Sequence, residues 1–209
     1  MKKSFSLAFG VIAVLAGLQA QAQTSASGPT VYPSKPIRIV VPFPAGGTSD
    51  VLARLVGQKL TESWGQPVVV DNKPGSNGNL GADWVAKSAP DGHTLVLMDV
   101  GNLVISPALY KLPFNVLNDF APVGMVATYP HVKAGKIKLI AVSSTKRNGQ
   151  LPDVPAISES LPGFLTGSFQ GLLAPAGTPK AIVDKLNAEV QKIAAMPDIK
   201  ERLVTLGAE

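Results

Sequence analysis

The chain of 209 residues contains no cysteine, carries 19 Lys and Arg against 14 Asp and Glu, and is 45% hydrophobic. A chain without cysteine has no disulfide and no thiol chemistry, so its core must stabilise it unaided. The net charge of +5 is mild, the basic residues are scattered, and aromatic residues make up only 6%. This composition excludes a base-stacking surface for nucleic acid, whereas a mild positive charge suits a small anionic ligand.

The N-terminal segment has the three parts of a secretory signal peptide. Two lysines precede an apolar stretch over residues 5–18, and small residues alternate with Gln up to Ala22. The stretch is shorter than the ~20 residues that a membrane-spanning helix needs, which disfavours a membrane anchor. We therefore predict a signal peptide over residues 1–22, a periplasmic mature protein, and a disordered lead-in over residues 23–34, which are rich in Ser, Thr, Gly and Pro.

Strands and helices are predicted to alternate after the lead-in, because β-branched runs are followed by apolar residues at helical spacing. In chain order the elements are a strand at 37–41, a helix capped by Thr48 or Ser49, a strand at 67–70, a helix at 80–87 and a strand at 94–98. Strands follow at 137–142 and 169–173, then a helix opened by Pro179 and a last helix capped by Asp198 and closed by Gly207. The alternation predicts an α/β fold with a parallel sheet and right-handed crossovers.

Residues suited to catalysis are scarce. The only histidines are His93 and His131, and His93 is predicted to lie in a turn or at the surface. An exported α/β serine hydrolase or transferase, with Ser49 or Ser168 as nucleophile, would need a base within reach of the serine. The sequence therefore favours a binding protein over an enzyme, with no catalytic residue, cofactor or metal site.

Two glycine-containing loops are candidates for an anion site. Each follows a predicted strand and precedes a predicted helix, where backbone N–H groups lack intrahelical partners and the helix dipole is positive. The first contains Gly46 and Gly47, and the second contains Gly75, Gly78 and Gly81. Ordinary turn chemistry accounts for either loop alone, but together on neighbouring strands they favour a ligand site.

Eight motifs are spread in order over nearly all of the mature chain. They are YPSKPIR (32–38), VPFPAGGTSD (41–50), PVVVDNKPG (67–75), GNLGA (78–82), APDG (89–92), DFAPV (119–123), LPDVP (151–155) and GLLAPAGTP (171–179). In these motifs the chain resembles the Bug-type receptors of tripartite tricarboxylate transporters. The resemblance implies a periplasmic-binding-protein-like Venus flytrap of two lobes, monomeric, that captures a small carboxylate (a di- or tricarboxylate or an acidic amino acid) for membrane permease subunits.

The resemblance also implies which residues face the ligand, and they lie in three loops that follow the first three strands. They are Phe43, Pro44, Ala45, Gly46, Gly47, Thr48, Ser49, Asp50, Asn77, Gly78, Asn79, Gly101 and Asn102. Asp50 has two possible roles, because an acid at a helix start either caps the helix or binds an amino group of the ligand. A role in signalling, with a histidine kinase as partner, is a further alternative to transport.

The chain departs from the family pattern after Pro130, where it continues directly with His131. Family members continue there into the second lobe, and they extend beyond Glu209, so we expect an internal deletion and a shortened C-terminus. The expected domains are a first lobe formed by residues 31–104 and 163–209 and a remnant of the second lobe formed by residues 105–162. With its second lobe largely missing, the protein is expected to bind weakly and to expose apolar surface.

Overall fold

The computed structural model describes residues 31–129, 146–147, 152–162 and 168–206. The chain divides into two units, Met1–Val31 and Tyr32–Glu209, and Val31 is the only described residue of the first. The predicted signal peptide and the strand predicted at residues 137–142 lie outside the described residues, as do His131 and Gly207.

Strands and helices alternate along the described part of the chain. The strands are β1 (Ile37–Val41), β2 (Val68–Asn72), β3 (Thr94–Asp99), β4 (Phe120–Tyr129) and β5 (Ser168–Pro175). The helices are α1 (Thr48–Trp64), α2 (Asn79–Ala86), α3 (Ser106–Leu109), α4 (Ile157–Ser160), α5 (Lys180–Ala195) and α6 (Pro197–Thr205). Among the described residues, none of these helices combines the length and apolar character needed to cross a bilayer.

The five strands form one sheet in the order β2-β1-β3-β5-β4. Strands β2 and β3 both pair with β1 in parallel, which confirms the predicted α/β class and the parallel arrangement of the first three strands. Strand β5 is antiparallel to β3, and β4 is antiparallel to β5, so the sheet is mixed rather than wholly parallel. The antiparallel strand lets the distant C-terminal segment complete the sheet next to β3.

Strand β4 was not predicted, and it changes the expected grouping of residues 105–162. Those residues were assigned to the second lobe, but Phe120–Tyr129 pairs along β5 in this sheet. Pro122 and Gly124 interrupt the strand pattern in the sequence, and the register with β5 shifts at this point. Proline is tolerated because β4 lies at the edge of the sheet formed by the described residues, where one row of backbone N–H groups has no strand partner among them.

Hydrophobic residues fill both faces of the sheet. On one face, α1, α5 and α6 cover a cluster that includes Ile39, Leu97 and Leu186. On the other face, α2 and Phe114 cover a smaller cluster that includes Val40 and Val96. Successive strand residues point to opposite faces, so neighbouring residues of β1 and β3 serve the two clusters in turn.

The end of the expected lead-in is packed against the fold instead of being disordered. Tyr32 is buried, and its hydroxyl donates to the Gly92 carbonyl over 2.7 Å. The Ser34 backbone N–H donates to Nε2 of His93 over 3.2 Å. His93 lies in a bend directly before β3, so of the two predicted positions, a turn or the surface, the surface is wrong, because the residue is buried at 8% exposure.

Two helix starts differ from the predictions. Helix α1 has Gly47 at its N-cap position, so Thr48 and Ser49 are its first residues rather than its caps. Helix α6 begins with Pro197 in its first turn, as proline's fixed φ favours. Asp198 lies within that first turn, and its carboxylate pairs with Lys59 over 2.7 Å.

Candidate functional site

A crevice is expected at the carboxyl ends of β1 and β3, where the chain reverses its direction across the sheet. The chain moves from β1 outward to β2 and then returns past β1 to β3. Helix α1 lies on one face and α2 on the other, because their buried residues belong to different clusters. In open α/β sheets this reversal leaves a crevice outside the strand ends, and ligands bind there.

Three loops lie at this edge: loop 1 (residues 43–50) after β1, loop 2 (residues 75–81) after β2 and loop 3 (residues 99–102) at the end of β3. In loop 1, residues 44–48 are exposed and Ser49 is buried. Gly47 adopts an extended conformation, and no side chain caps α1 at this position. The first backbone N–H groups of α1, together with the positive end of its dipole, can therefore bind an anion.

Asp50 is the last residue of loop 1, and its carboxylate is already engaged by other groups of the fold. Its side chain is 5% exposed, and Oδ2 accepts the Gly46 N–H over 2.9 Å. The Arg54 guanidinium donates from Nε to Oδ2 over 3.1 Å, and its Nη2 lies 2.9 Å from Oδ1. Hydrogen bonding from Arg54 lowers the pKa of the Asp50 carboxyl, with the Gly46 N–H acting in the same direction against the effect of burial. The negative charge of Asp50 is thus balanced within the fold.

Asn72, at the end of β2, contacts loop 1 from the neighbouring strand and stabilises it. Its Nδ2 donates to the Phe43 carbonyl over 3.1 Å, and its Oδ1 accepts from Nη2 of Arg54 over 3.3 Å. Sequence reasoning assigned no role to Arg54 or Asn72. The spacing of Asp50 and Arg54, four residues apart on one helix, is a signal that could have revealed the pair.

Loop 2 has an unusual run of backbone conformations. Four consecutive residues have positive φ: Gly75, Ser76, Asn77 and Gly78. Gly78 is buried, and a Cβ at this position would lie 2.6 Å from Nδ2 of Asn102 and 3.2 Å from the Pro42 carbonyl oxygen. Glycine therefore permits a close approach between loop 2, loop 3 and the end of β1.

Asn102 joins loop 3 to loop 2. It is 0% exposed, and its Nδ2 donates to the Asn77 carbonyl over 2.8 Å. Its backbone N–H donates to Oδ1 of Asp99 over 3.1 Å, and Nδ2 of Asn77 donates to Oγ of Ser106 over 3.2 Å. Asn102 holds the two loops together, which is a different use of its amide from the direct ligand contact that the resemblance implies.

The predicted site residues occupy two kinds of position. Residues 44–48 and Asn77 are exposed at the edge of the sheet, whereas Ser49, Asn79 and Asn102 are buried behind them. Oδ1 of Asn79 and Oδ1 of Asn102 are buried and have no hydrogen-bond partner among the described residues. The structure thus brings the three loops to one edge, with buried amide groups in their supporting layer.

Sequence reasoning missed Gln170, which lies at the same edge. It is aligned with Asp99 of β3, and it is 5% exposed. The sequence carried one signal, a long polar side chain within a run of apolar and small residues in β5.

Among the described residues, the structure places no histidine near Ser49. His93 precedes β3, and its carbonyl accepts the Arg38 N–H at the amino ends of the parallel strands. It therefore lies at the edge of the sheet opposite to Ser49. His131 and the side chain of Ser168 are outside the described residues.

Comparison with known proteins identifies the family. Residues 52–132 and 125–209 match the tripartite tricarboxylate transporter family receptor, TctC. A relative encoded in the tcbD-tcbE intergenic region of Pseudomonas sp. (strain P51) is 30% identical, over 94% of this chain and 85% of its own length.

Two solved structures have the same fold. MatC from Rhodopseudomonas palustris, with bound malate, has a TM-score of 0.72 and 26% identity, over 85% of this chain and 90% of MatC. The periplasmic binding protein BugD has a TM-score of 0.68 and 28% identity, over 85% of this chain and 89% of BugD. These neighbours confirm a periplasmic-binding-protein-like fold.

Many positions of the alignment with the Pseudomonas relative have no counterpart in this chain. The alignment extends over 286 positions, whereas 94% of this 209-residue chain is only about 196 residues. About 90 positions of the alignment therefore have no counterpart in this chain. The two segments that match the family overlap at residues 125–132, a range that includes Pro130 and His131. The family and the neighbours are binding proteins, so the serine-hydrolase alternative is wrong, and the chain belongs to the tripartite tricarboxylate transporter receptors as a Bug-type solute-binding protein.

Proposed function

We propose that this protein is an exported receptor that captures a small carboxylate and passes it to the membrane subunits of a tripartite tricarboxylate transporter. The observation that carries the proposal is the amino end of α1, which no side chain caps at Gly47 and which opens at the edge shared by loops 1, 2 and 3. The malate in MatC, a protein of the same fold at 26% identity, supports a carboxylate as the ligand class.

The chemistry of the site requires no cationic side chain in contact with the ligand. Unpaired N–H groups in the first turn of α1 would donate to one carboxylate, and the helix dipole would add to the attraction. Loop 1 is held in place by the contacts of Asp50 and Asn72, so little conformational entropy remains to be lost on binding.

Asp50 is not available to bind the ammonium group of an amino acid, which leaves Asp99 as the other carboxylate of the three loops. An acidic amino acid needs a counter-charge for its ammonium group, and Asp50 is the acid of loop 1. Its carboxylate is buried and engaged by Arg54 and Gly46, which leaves it unsuited to bind an ammonium group.

The predicted internal deletion is expected to weaken binding. In a two-lobed receptor the second lobe closes over the ligand, excludes water and adds donors of its own. With one lobe open, each hydrogen bond contributes only ~1 kcal/mol net, against an association cost of at least ~4 kcal/mol. Leu109 and Leu117 are 67% and 88% exposed, as expected for a surface from which a covering element is missing. We expect millimolar affinity and a tendency to self-associate.

Thermal unfolding in the presence of ligand tests the proposal. The mature protein is titrated with succinate, malate, citrate, glutamate and glucose at constant ionic strength. At a ligand concentration of about 50 times the dissociation constant, mass action stabilises the native state by about 2.3 kcal/mol. For a chain of this size the midpoint should rise by about 5–9 °C. Stabilisation by glucose alone would refute the proposal.

A charge placed at the amino end of α1 distinguishes specific binding from a general salt effect. Gly47→Asp puts a carboxylate at the N-cap, where the extended backbone allows it to accept the first-turn N–H groups. We expect this variant to fold and to lose its response to carboxylates. The matched control is Pro179→Asp, which puts the same charge at the amino end of α5, at the opposite edge of the sheet. An equal loss of response in both variants would contradict a site on α1.

A further inference from the structure

Asp99, the last residue of β3, carries a negative charge that no described residue neutralises. Its Oδ1 accepts the backbone N–H of Asn102 over 3.1 Å, whereas its Oδ2 has no hydrogen bond and its carboxylate no ion pair within the described ranges. The residue is only partly buried, so a group from solvent can reach it. Asparagine would offer the same acceptor to Asn102 without a charge. The contacts of the described fold therefore leave the charge of Asp99 unused.

Asp99 lies on the same side of the sheet as the amino end of α1. Leu97 belongs to the cluster covered by α1, and Met98 belongs to the cluster on the opposite face. Residues two apart along a strand share a face, so Asp99 is on the side of α1. Strand β3 is also the direct neighbour of β1, which leads through loop 1 into α1. A ligand held at the amino end of α1 is thus placed beside the carboxylate of Asp99.

Gln170 adds an acceptor without a donor at the same place. It is aligned with Asp99 across β3 and β5, and aligned residues of antiparallel strands point to the same side with Cβ atoms about 4.5–5.5 Å apart. Gln170 is 5% exposed, and its Oε1 is buried with no hydrogen-bond partner among the described residues. A buried acceptor without a donor destabilises a fold, and such groups are rare in native proteins. Asp99 and Gln170 together therefore call for a donor that carries a positive charge.

We propose that Asp99 and Gln170 form a subsite for the ammonium group of an amino acid whose carboxylate binds at the amino end of α1. This inference rests on the proposed carboxylate-binding function. An ammonium group carries one positive charge and three N–H donors. It can therefore pair with the Asp99 carboxylate and at the same time donate to the amide oxygen of Gln170.

The charge of Asp99 selects amino acids over acids that lack an amino group. A carboxylate next to an anion site repels a ligand that is only negative, and it attracts a ligand that also carries a positive charge. Aspartate and succinate have the same carbon chain and the same two carboxylates, and they differ in the amino group alone. Succinate has the larger negative charge, so a helix end acting without Asp99 would favour succinate. With Asp99 in place, the protein is expected to favour aspartate.

Titration of the full mature chain with aspartate, succinate and malate tests the subsite. Malate has a hydroxyl where aspartate has its amino group, and dissociation constants are measured by calorimetry near neutral pH at constant ionic strength. Asp99→Asn removes the charge and keeps an oxygen for the Asn102 N–H, whereas Gln170→Met removes the amide at a similar volume. The matched control is Asp184→Asn, which removes the same charge from an exposed carboxylate of α5 that pairs with Lys180 over 2.7 Å.

The wild type is expected to bind aspartate more tightly than succinate or malate. Asp99→Asn weakens aspartate binding at least about tenfold, the effect of losing one hydrogen bond between charged groups, and leaves succinate binding equal or tighter. Gln170→Met also weakens aspartate binding and leaves succinate binding unchanged, because only the ammonium group contacts the amide. Asp184→Asn changes neither affinity.

Four results would overturn the assignment. A wild type that binds succinate as tightly as aspartate has no ammonium subsite, and malate binding as tight as that of aspartate would mean that a neutral donor suffices. An equal loss of aspartate and succinate binding in Asp99→Asn would show that Asp99 only positions loop 3. If that variant does not fold, an equal loss of the two ligands in Gln170→Met decides against the subsite.

Failure of the proposed function gives a different result. A wild-type protein that binds neither aspartate nor succinate would refute carboxylate capture itself, and the ammonium subsite with it. A wild type that binds succinate but not aspartate would retain carboxylate capture and refute only the roles of Asp99 and Gln170.

Discussion

The close contact between loop 2 and loop 3 predicts that Gly78→Ala is strongly destabilising. Gly78 has φ of +85°, a conformation that costs an L-residue about 1–2 kcal/mol, partly offset by a less flexible unfolded chain. The new Cβ would lie 2.6 Å from Nδ2 of Asn102, which is 0% exposed and can move only by breaking its hydrogen bond to Asn77. Leaving that buried amide unpaired costs a further ~1–3 kcal/mol. We expect a total loss of about 3 kcal/mol.

Gly65→Ala is the matched control, because Gly65 has φ of +69° at the end of α1 with no atom within 4 Å of the added Cβ. It should cost only about 1 kcal/mol, the conformational part of the effect. Urea unfolding followed by circular dichroism gives both free energies, and the difference of about 2 kcal/mol measures the contacts of the added Cβ with Asn102 and Pro42. If both variants lose the same stability, the loops are not packed as described and the reasoning is refuted.

Three further predictions concern the network at Asp50, the buried Tyr32 and the main core. Arg54 lowers the pKa of Asp50 below its usual 3.8, so the ionised Asp50 carboxylate stabilises the folded state. This contribution to the free energy of unfolding is complete above about pH 4 and is lost as the pH falls through the lower folded-state pKa. Asp50→Asn should therefore have a lower urea midpoint than the wild type at pH 7, and its midpoint should fall less between pH 6 and pH 3. Parallel profiles of midpoint against pH for the two proteins would contradict this. Tyr32→Phe removes the donor to the Gly92 carbonyl and should cost ~1–2 kcal/mol in urea unfolding, whereas no loss would mean that the hydroxyl bond contributes nothing. Leu186 is 0% exposed, so Leu186→Ala opens a cavity and should lower the free energy of unfolding by ~2–5 kcal/mol. A measured loss below about 1 kcal/mol would contradict the place of Leu186 in the core.

Local patterns in the sequence determined the elements that position the site. The β-branched run at Ile37–Val41, the helical spacing of α1 and the apolar run of β3 each depend on a few neighbouring residues, and the structure confirms all three. The order strand, helix, strand also determined that the first three strands are parallel, because a helix crossover returns the chain to the same edge. The carboxyl ends of β1, β2 and β3 therefore had to share one edge, which brought loops 1, 2 and 3 into one candidate site.

Only the tertiary structure decided how the last strands join the sheet. Strand β4 contains Pro122 and Gly124, which hide its strand pattern, and it is stabilised by pairing with β5, some 45 residues later in the sequence. The antiparallel direction of β5 likewise depends on contacts between segments that are far apart in the chain, and local propensity carries no information about such pairing.

The roles of the polar residues also depended on tertiary contacts. The sequence placed Asp50 at a helix start but left open whether it capped the helix or bound a ligand, and the distances to Arg54 and Gly46 decided that its charge is used within the fold. Asn102 was predicted to face the ligand, yet its amide joins two loops. Gln170 carried no motif, and its burial and alignment with Asp99 appear only when β5 lies beside β3. The type of residue is set by the sequence, but the partner that satisfies a polar group is set by whatever the fold places within about 3 Å of it.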